Sequence, residues 1–422
     1  MKLFTRDLSK DMWASLPGQV LAASLLFSMI SISLAEGFLF LAIVLWAVWV
    51  IKDKRPFRAP TFFIPLLAYS ALSVAAAAFS VNQAVSFLDL RELALYLIIP
   101  VAYMSLGSIK EIGRANLAVF VSAAVSMTYS FYHFVFKAAP AERIKGFMGH
   151  YMTQAGLLVL FVSLALAMLF FERKKVRWLW GAGAVAAMAA LELTLTRSAW
   201  IGLAVALCVL VFLTKPKFAL AVPVIIVIVF FASPAPVKER ALSIFTLQGF
   251  SNRIRVEYFQ AGLKIIRDYP LSGTGPDTVD MVFQNPKYGL SEDAKRNVHL
   301  HNTPLQIAAE RGIPALLAWL AFIVWTFLEL AKLVRVRGKG GKRAGGRDPA
   351  VFPLAAAALA GLAAFVVSGL FEYNFGDSEI LVLFLFLMAV PFAASRGQVF
   401  TLDKNVQCKD LTPSTPSTPS KR

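Results

Sequence analysis

Charge is scarce in this chain, and negative charge is scarcer still: 16% of its 422 residues are charged, 25 Asp and Glu against 42 Lys and Arg. A soluble domain carries about a quarter of its residues as Asp, Glu, Lys or Arg, so a water-covered surface is excluded for most of the chain. Cysteine is nearly absent. Cys208 lies in an apolar run and Cys408 in a polar tail, which excludes a disulfide framework and a cysteine metal site. The four histidines, His133, His150, His299 and His301, form no His-Glu-x-x-His helix, so their spacing calls for no metal. There is no Gly-rich phosphate loop to indicate ATP-driven work, and there is no internal repeat. The apolar stretches "VPVIIVIVFF" and "LVLFLFLMAV" do not alternate with polar residues, which excludes an outer-membrane barrel. The N-terminal "MKLFTRDLSKDMWASLPG" lacks a compact apolar stretch ending at a small-residue cleavage site, so no removable signal peptide is expected.

What is abundant is hydrocarbon. Hydrophobic residues make up 58% of the chain, the mean hydropathy is +0.66, and the apolar runs last about 17 to 23 residues, the length that spans a bilayer core. The fold class is therefore an all-α polytopic membrane protein. About twelve transmembrane helices are expected, at 16–34, 36–51, 61–79, 93–107, 116–136, 155–171, 178–195, 198–214, 217–233, 313–334, 351–371 and 378–394. The net charge of +17 is not a nucleic-acid footprint, because its excess sits in short loops: "KDKRPFR" (52–58), "ERKKVR" (172–177), "KPK" (215–217) and "RVRGKGGKRAGGR" (335–347). Cytoplasmic loops carry such an excess. With the N-terminus in the cytoplasm, alternation of sides places all four blocks there.

The same alternation places a loop of some seventy residues on the far side, much longer than ordinary connections of up to about 15 residues. The expected organisation is a cytoplasmic N-terminus (1–15), nine spans (16–233), a large extracytoplasmic loop subdomain (234–303), three further spans (304–394) and a disordered cytoplasmic tail (395–422). The tail ends in "TPSTPSTPSKR", which has no means of forming a core. In the long loop, "NRIRVEYFQAGLKIIRDYP" repeats Val256, Phe259, Leu263 and Ile266 at helical spacing before Pro270, and the turn "LSGTGPD" follows.

Within "NVHLHNTPLQIAAERG", His301 stands on the non-cytoplasmic side at the mouth of an apolar helix. An imidazole with its ordinary pKa of about 6.5 is largely neutral at pH 7, as a general base for a hydroxyl must be. His299, on the same side of an extended stretch but about 7 Å away, is expected as its neighbour. Arg197 interrupts two apolar runs in "LTLTRSAWIG", where an ionisable group is expensive and points to function; snorkelling to the interface is the alternative. Arg253, Arg255, Arg143 and Lys145 add cations on that side, and arginine's planar fork suits a diphosphate. A solvated loop surface is the alternative for each of these. Glu372, Asp377 and Glu379 in "GLFEYNFGDSEI" lie where they can orient a histidine, pair with an arginine or simply form a polar turn.

These residues resemble the O-antigen ligase and polymerase superfamily of bacterial inner-membrane glycosyltransferases. "HNTPLQIAAERGIPA" is similar to its His-Asn-x9-Gly signature, with His301, Asn302 and Gly312 in register and Ala315 where Gly, Thr or Tyr is usual. "RIRVEYFQAGLKIIRDYPLSGTG" resembles its Arg-x3-aromatic helix and turn, through Arg255 and Phe259. "TRSAWIG" resembles an Arg-x3-Leu element with Ile201 in the last place, and "RIKGFMGHYMTQAG" an Arg-x2-Gly loop with His150 replacing Asn. The resemblance implies a GT-C-like fold and a periplasmic active site. It further implies transfer of a preassembled glycan from undecaprenyl diphosphate to a sugar hydroxyl of lipid A-core, without metal or other cofactor, by a monomer or weak oligomer. His301 would be the base, with Arg197 and Arg255 on the diphosphate. Arg143, Lys145, Arg253, His299, Asn302 and Glu372 would assist in substrate binding. An O-antigen polymerase or a protein O-oligosaccharyltransferase fits the same motifs. A secondary anion transporter is the alternative from another class, although the chain lacks related halves and most of its spans lack mid-span charges, Glu192 near the far-side end of its span being the clearest exception.

Overall fold

The computed structural model describes residues 8–137, 142–172, 175–214, 216–218, 221–233, 235–243, 249–335 and 351–409. Among these the chain is helical, with no strand. That is how a chain in hydrocarbon satisfies its backbone, since each N–H and C=O must find a partner within its own segment. The first helices are α1 (Leu8–Phe27), α2 (Ile32–Lys52), α3 (Phe63–Ala78), α4 (Gln83–Asp89), α5 (Ile98–Ser105) and α6 (Ile109–Phe136). They are followed by α7 (Tyr151–Phe171), α8 (Arg177–Leu193), α9 (Arg197–Thr214), α10 (Ala221–Ala232) and α11 (Ala235–Leu242). The last are α12 (Phe250–Asp268), α13 (Val279–Phe283), α14 (Thr303–Arg335), α15 (Val351–Gly369) and α16 (Ser378–Lys409).

Seven of the described helices are long and apolar enough to cross a membrane: α2, α6, α7, α9, α14, α15 and Ser378–Arg396 of α16. Ser15–Phe27 and α3 are shorter apolar helices. Three further expected spans are also shorter than a full crossing: 93–107 is a 3-10 turn (Leu90–Leu97) running into the 8-residue α5, α8 has 17 residues and α10 has 12. α16 continues as helix to Lys409, past residue 394 and through part of the segment expected to be unstructured. The rest of that tail, 410–422, and residues 336–347 of the last basic block lie outside the described residues. The centre is α15, packed between α7 and α9. Its run "AAAALAGLAA" lets neighbouring backbones approach closely.

A second, smaller core lies outside this bundle. Tyr258, Ala261, Ile265, Val279, Phe283, Tyr288 and Leu300 pack on one another and on Leu305 and Ala309 from the first turns of α14. α14 itself is broken at Gly312, whose φ of 79° and ψ of 168° fall in a region open essentially to glycine alone. Residue 314 is proline, without an N–H, and the Ile313 N–H turns to Pro270 O at 2.9 Å. The carbonyls of Ala309 and Glu310 thus lose their helical donors. They are served instead by the N–H groups of Thr274 and Gly275, each at 2.9 Å, so the "LSGTGPD" turn fills the break. A Cβ on Gly312 would strike the Leu271 carbonyl.

The break is pinned by charge. Buried Arg311 bonds Asp89 at 2.8 Å, Glu310 at 2.9 Å and the Tyr373 hydroxyl at 3.1 Å, tying α4, α14 and the α15–α16 turn together. Losing one partner of such a buried pair typically costs about 3–5 kcal/mol, so this end of the bundle is stiff. The site is built on it.

Candidate active site

The residues that open α14 are stitched to the turn between α15 and α16. Asn302 accepts the Leu305 N–H at 2.9 Å, as a helix cap does, and donates to Leu370 O at 2.8 Å; the Thr303 hydroxyl donates to Glu372 O at 2.8 Å. Just before this cap, His301 has a left-handed φ of 51°, so the stretch is not extended there and its two histidines diverge. His301 Nδ1 meets Glu372 Oε2 at 2.9 Å, and Arg255 Nη2 donates to Glu372 Oε1 at 2.6 Å. One buried carboxylate thus holds an imidazole from α14's threshold and a guanidinium from α12.

The protonation pattern follows from the partners. An ionised carboxylate only accepts, so Nδ1 carries the proton and Nε2 presents its lone pair. That lone pair meets Asn297 Nδ2 at 2.7 Å, a donor. His301 is therefore set with its basic nitrogen away from Glu372, towards a cavity.

The cavity has a volume of about 680 Å³, and four arginines reach it: Arg143, Arg197, Arg240 and Arg255. His150, Asn297 and His301 also line it, and none of its described lining residues is acidic. Arg197, 7% exposed, begins α9. Its guanidinium donates to Ser243 O at 2.8 Å and to Asn252 Oδ1 at 2.7 Å, which fixes the ends of α11 and α12 against α9. Arg143 lies over the Tyr151 ring at 4.3 Å. Among the described residues, Arg240 donates its Nε to Leu195 O at 3.3 Å. Burial, together with the neighbouring Arg143, Arg197 and Arg255, pushes Arg240 down to about 10, so it stays protonated at pH 7. His150 is held below its ordinary value by burial and by the positive charge around it. Four crowded guanidinium groups outnumber the one carboxylate, Glu372, that touches them, and such an excess of cations makes a site for an anion.

Not every expected residue arrives there. Lys145 is exposed and does not line the cavity. The Arg253 side chain is 60% exposed and pairs loosely with Glu257 at 3.9 Å, one helical turn on, because its position on α12 points away from Arg255. His299 packs on Tyr373 at 5.2 Å, and burial first, then the adjacent His301, pushes it down to about 4. Asn302 is a cap, as described, and reaches no cavity wall. Among the carboxylates, Asp377 accepts from the Thr153 hydroxyl at 2.6 Å, which leaves Glu372 alone on the histidine. Arg240 and Asn297 went unread in the sequence. Arg240 sits in "PVKERAL" with no spacing signal, whereas Asn297 precedes His301 by four residues, a separation open to inspection. Among the described residues, no group of three or more His, Cys, Asp or Glu is arranged to hold a metal ion.

The family model described as O-antigen ligase matches residues 182–320. That stretch runs from α8 into α14 and contains Arg197, Arg240, Arg255, Asn297 and His301. No curated protein matches the chain. The matched segment carries the loop of His301 and three of the four cavity arginines, so the part of this multi-pass membrane protein that builds most of the cavity wall is similar to the O-antigen ligase family.

Proposed function

We propose that this protein is an O-antigen ligase. It moves a preassembled polysaccharide from undecaprenyl diphosphate to a sugar hydroxyl of lipid A-core on the periplasmic face of the bacterial inner membrane. The observation that carries this reading is the meeting of His301, Glu372 and Arg255 at a cavity lined by four arginines, with no acidic residue among its described lining residues. A lipid diphosphate needs cations, and an alcohol acceptor needs a base.

In this mechanism the acceptor hydroxyl displaces Asn297 from Nε2 of His301 and gives its proton there. The acceptor oxygen attacks the anomeric carbon as the bond from that carbon to the phosphate oxygen breaks. The diphosphate leaves with the electron pair, and the anomeric configuration inverts. Glu372 stabilises the imidazolium, as a buried carboxylate does for a catalytic histidine. Arg255 keeps free donors beyond the one on Glu372, and Arg143 and Arg240 likewise turn donors to the cavity. Arg197 has both terminal nitrogens engaged by Ser243 and Asn252, so it contributes charge and fixes the wall. Together they favour the negative charge that builds on the leaving group. His301 then returns its proton to solvent or to the departing diphosphate.

The test uses a strain lacking this protein, complemented with wild type or His301→Ala at matched abundance, with lipopolysaccharide resolved on a gel. Ligation predicts long-chain material on lipid A-core with wild type only, and undecaprenyl-linked polymer accumulating with the variant. Loss of the polymer itself, with single repeats still capping the core, would make the protein a polymerase.

A further inference from the structure

α12 buries one stripe and leaves another open. Tyr258, Ala261, Gly262 and Ile265 are buried in the small core. Of the four residues whose helical spacing marks the sequence, Val256, Phe259 and Leu263 are 47%, 51% and 51% exposed, while Ile266 packs on the small core. At 3.6 residues per turn the three exposed ones share one side of the helix. The sequence pattern is therefore real, but the small core uses only its Ile266 end and leaves the other three residues open.

The surroundings say what covers it. Along one border of the stripe run Arg253, Lys264 and Arg267, all exposed. On the other border stands Arg255, one helical turn before Phe259. After α12 the chain passes through Pro270, whose carbonyl accepts the Ile313 N–H at 2.9 Å, and Leu271, which is 76% exposed. Ile313 opens an outward stripe on the membrane-length part of α14, continued by Leu317, Leu320 and Val324 at 60%, 40% and 55% exposure. The open face of α12 and the outward face of a span are thus joined through exposed Leu271. An apolar stripe edged with basic residues is the pattern of a helix that lies in the plane of a membrane interface.

We propose that the open face of α12 is immersed in the headgroup–acyl boundary of the bilayer, with Val256, Phe259 and Leu263 among the acyl chains and Arg253, Lys264 and Arg267 at the headgroups. The occupant is lipid. Arg255 then lies at headgroup depth, and a lipid diphosphate reaches it past Phe259 without leaving its leaflet; this last consequence rests on the proposed function, whereas the depth of α12 does not.

The test is site-directed spin labelling of the full-length protein in nanodiscs containing anionic lipid. Leu263→Cys and Val256→Cys are each made in a Cys208→Ser, Cys408→Ser background. Leu317→Cys serves as the lipid-facing reference, and Lys287→Cys, whose parent side chain is 59% exposed, as the aqueous one. The proposal expects oxygen to relax the labels at 256 and 263 more than a nickel chelate does, as at 317, with the order reversed at 287. Labels at 256 and 263 that follow 287 would overturn it, and so would dipolar broadening between labels, which would place a second copy of this chain on the face. None of these outcomes depends on transferase activity.

Discussion

Replacing Glu372 by Gln changes no volume and asks how much the site owes to one charge. The carboxylate is 9% exposed and engages His301 at 2.9 Å and Arg255 at 2.6 Å, one oxygen each. An amide has one oxygen and one NH2 group. If the oxygen faces His301, the NH2 group confronts another donor on Arg255 and the arginine is released. If the NH2 group faces Nδ1, the imidazole must carry its proton on Nε2, where the base should be. Either arrangement breaks the unit. A correctly placed base contributes about 10²–10⁴-fold, and the matching substitution in a Ser-His-Asp triad costs about 10⁴, so Glu372→Gln should lose about 10²–10⁴ in turnover. Stability should fall by only about 1–2 kcal/mol, because Arg255 is 23% exposed and can turn to solvent. The assay is initial-rate transfer by purified protein in nanodiscs, with thermal unfolding followed on the same preparations. A folded Glu372→Gln protein as fast as wild type would refute the role given to Glu372.

Other substitutions probe the neighbouring contacts. Asn297→Asp puts an acceptor at Nε2 and demands a proton there, so turnover should fall by about a hundredfold, while Asn297→Ala, which merely frees the lone pair, should stay near wild type; equal effects would contradict the tautomer assigned. Arg240→Ala should raise KM for the diphosphate donor by about tenfold, the loss of one partly exposed charged contact, with KM for the acceptor unmoved. His299 titrates near 4 when folded and near 6.5 when exposed, so between these values the unfolded chain holds more protons and stability is lost as the pH falls from about 6.5 towards 4. Over that window the melting temperature of wild type should drop further than that of His299→Gln, by the equivalent of about 3 kcal/mol at the acid end; parallel curves would rule out the buried neutral imidazole.

Much of this architecture is legible in sequence because hydrocarbon leaves few options. Apolar runs become helices, and the long segment between residues 234 and 303 stands out by length alone. His301, Arg197, Arg143 and Arg255 are legible too, since each is a polar or charged group in an unusual place. Their convergence is not, because it depends on contacts across 71 residues, from His301 to Glu372, and across 117, from Arg255 to Glu372. Arg240 was hidden for a different reason: a basic residue among Lys238 and Glu239 looks like any wet loop until the fold turns it inward. His299 misled by adjacency, because the left-handed turn at His301 separates two side chains that an extended strand would align. The stripe on α12 is legible in sequence as an apolar helix face but not by what covers it, since beside a bilayer such a face can be satisfied by lipid.

In the proposed reaction everything turns on His301 Nε2 taking the acceptor proton. That step is tested most directly by reconstituting purified protein with undecaprenyl-diphosphate glycan and lipid A-core and measuring glycan on the acceptor for wild type and His301→Ala, donor binding being followed in parallel. His301→Ala should bind donor as wild type does while transfer falls by about 10²–10⁴-fold. A variant that binds donor and transfers glycan at the wild-type rate would contradict that role for His301.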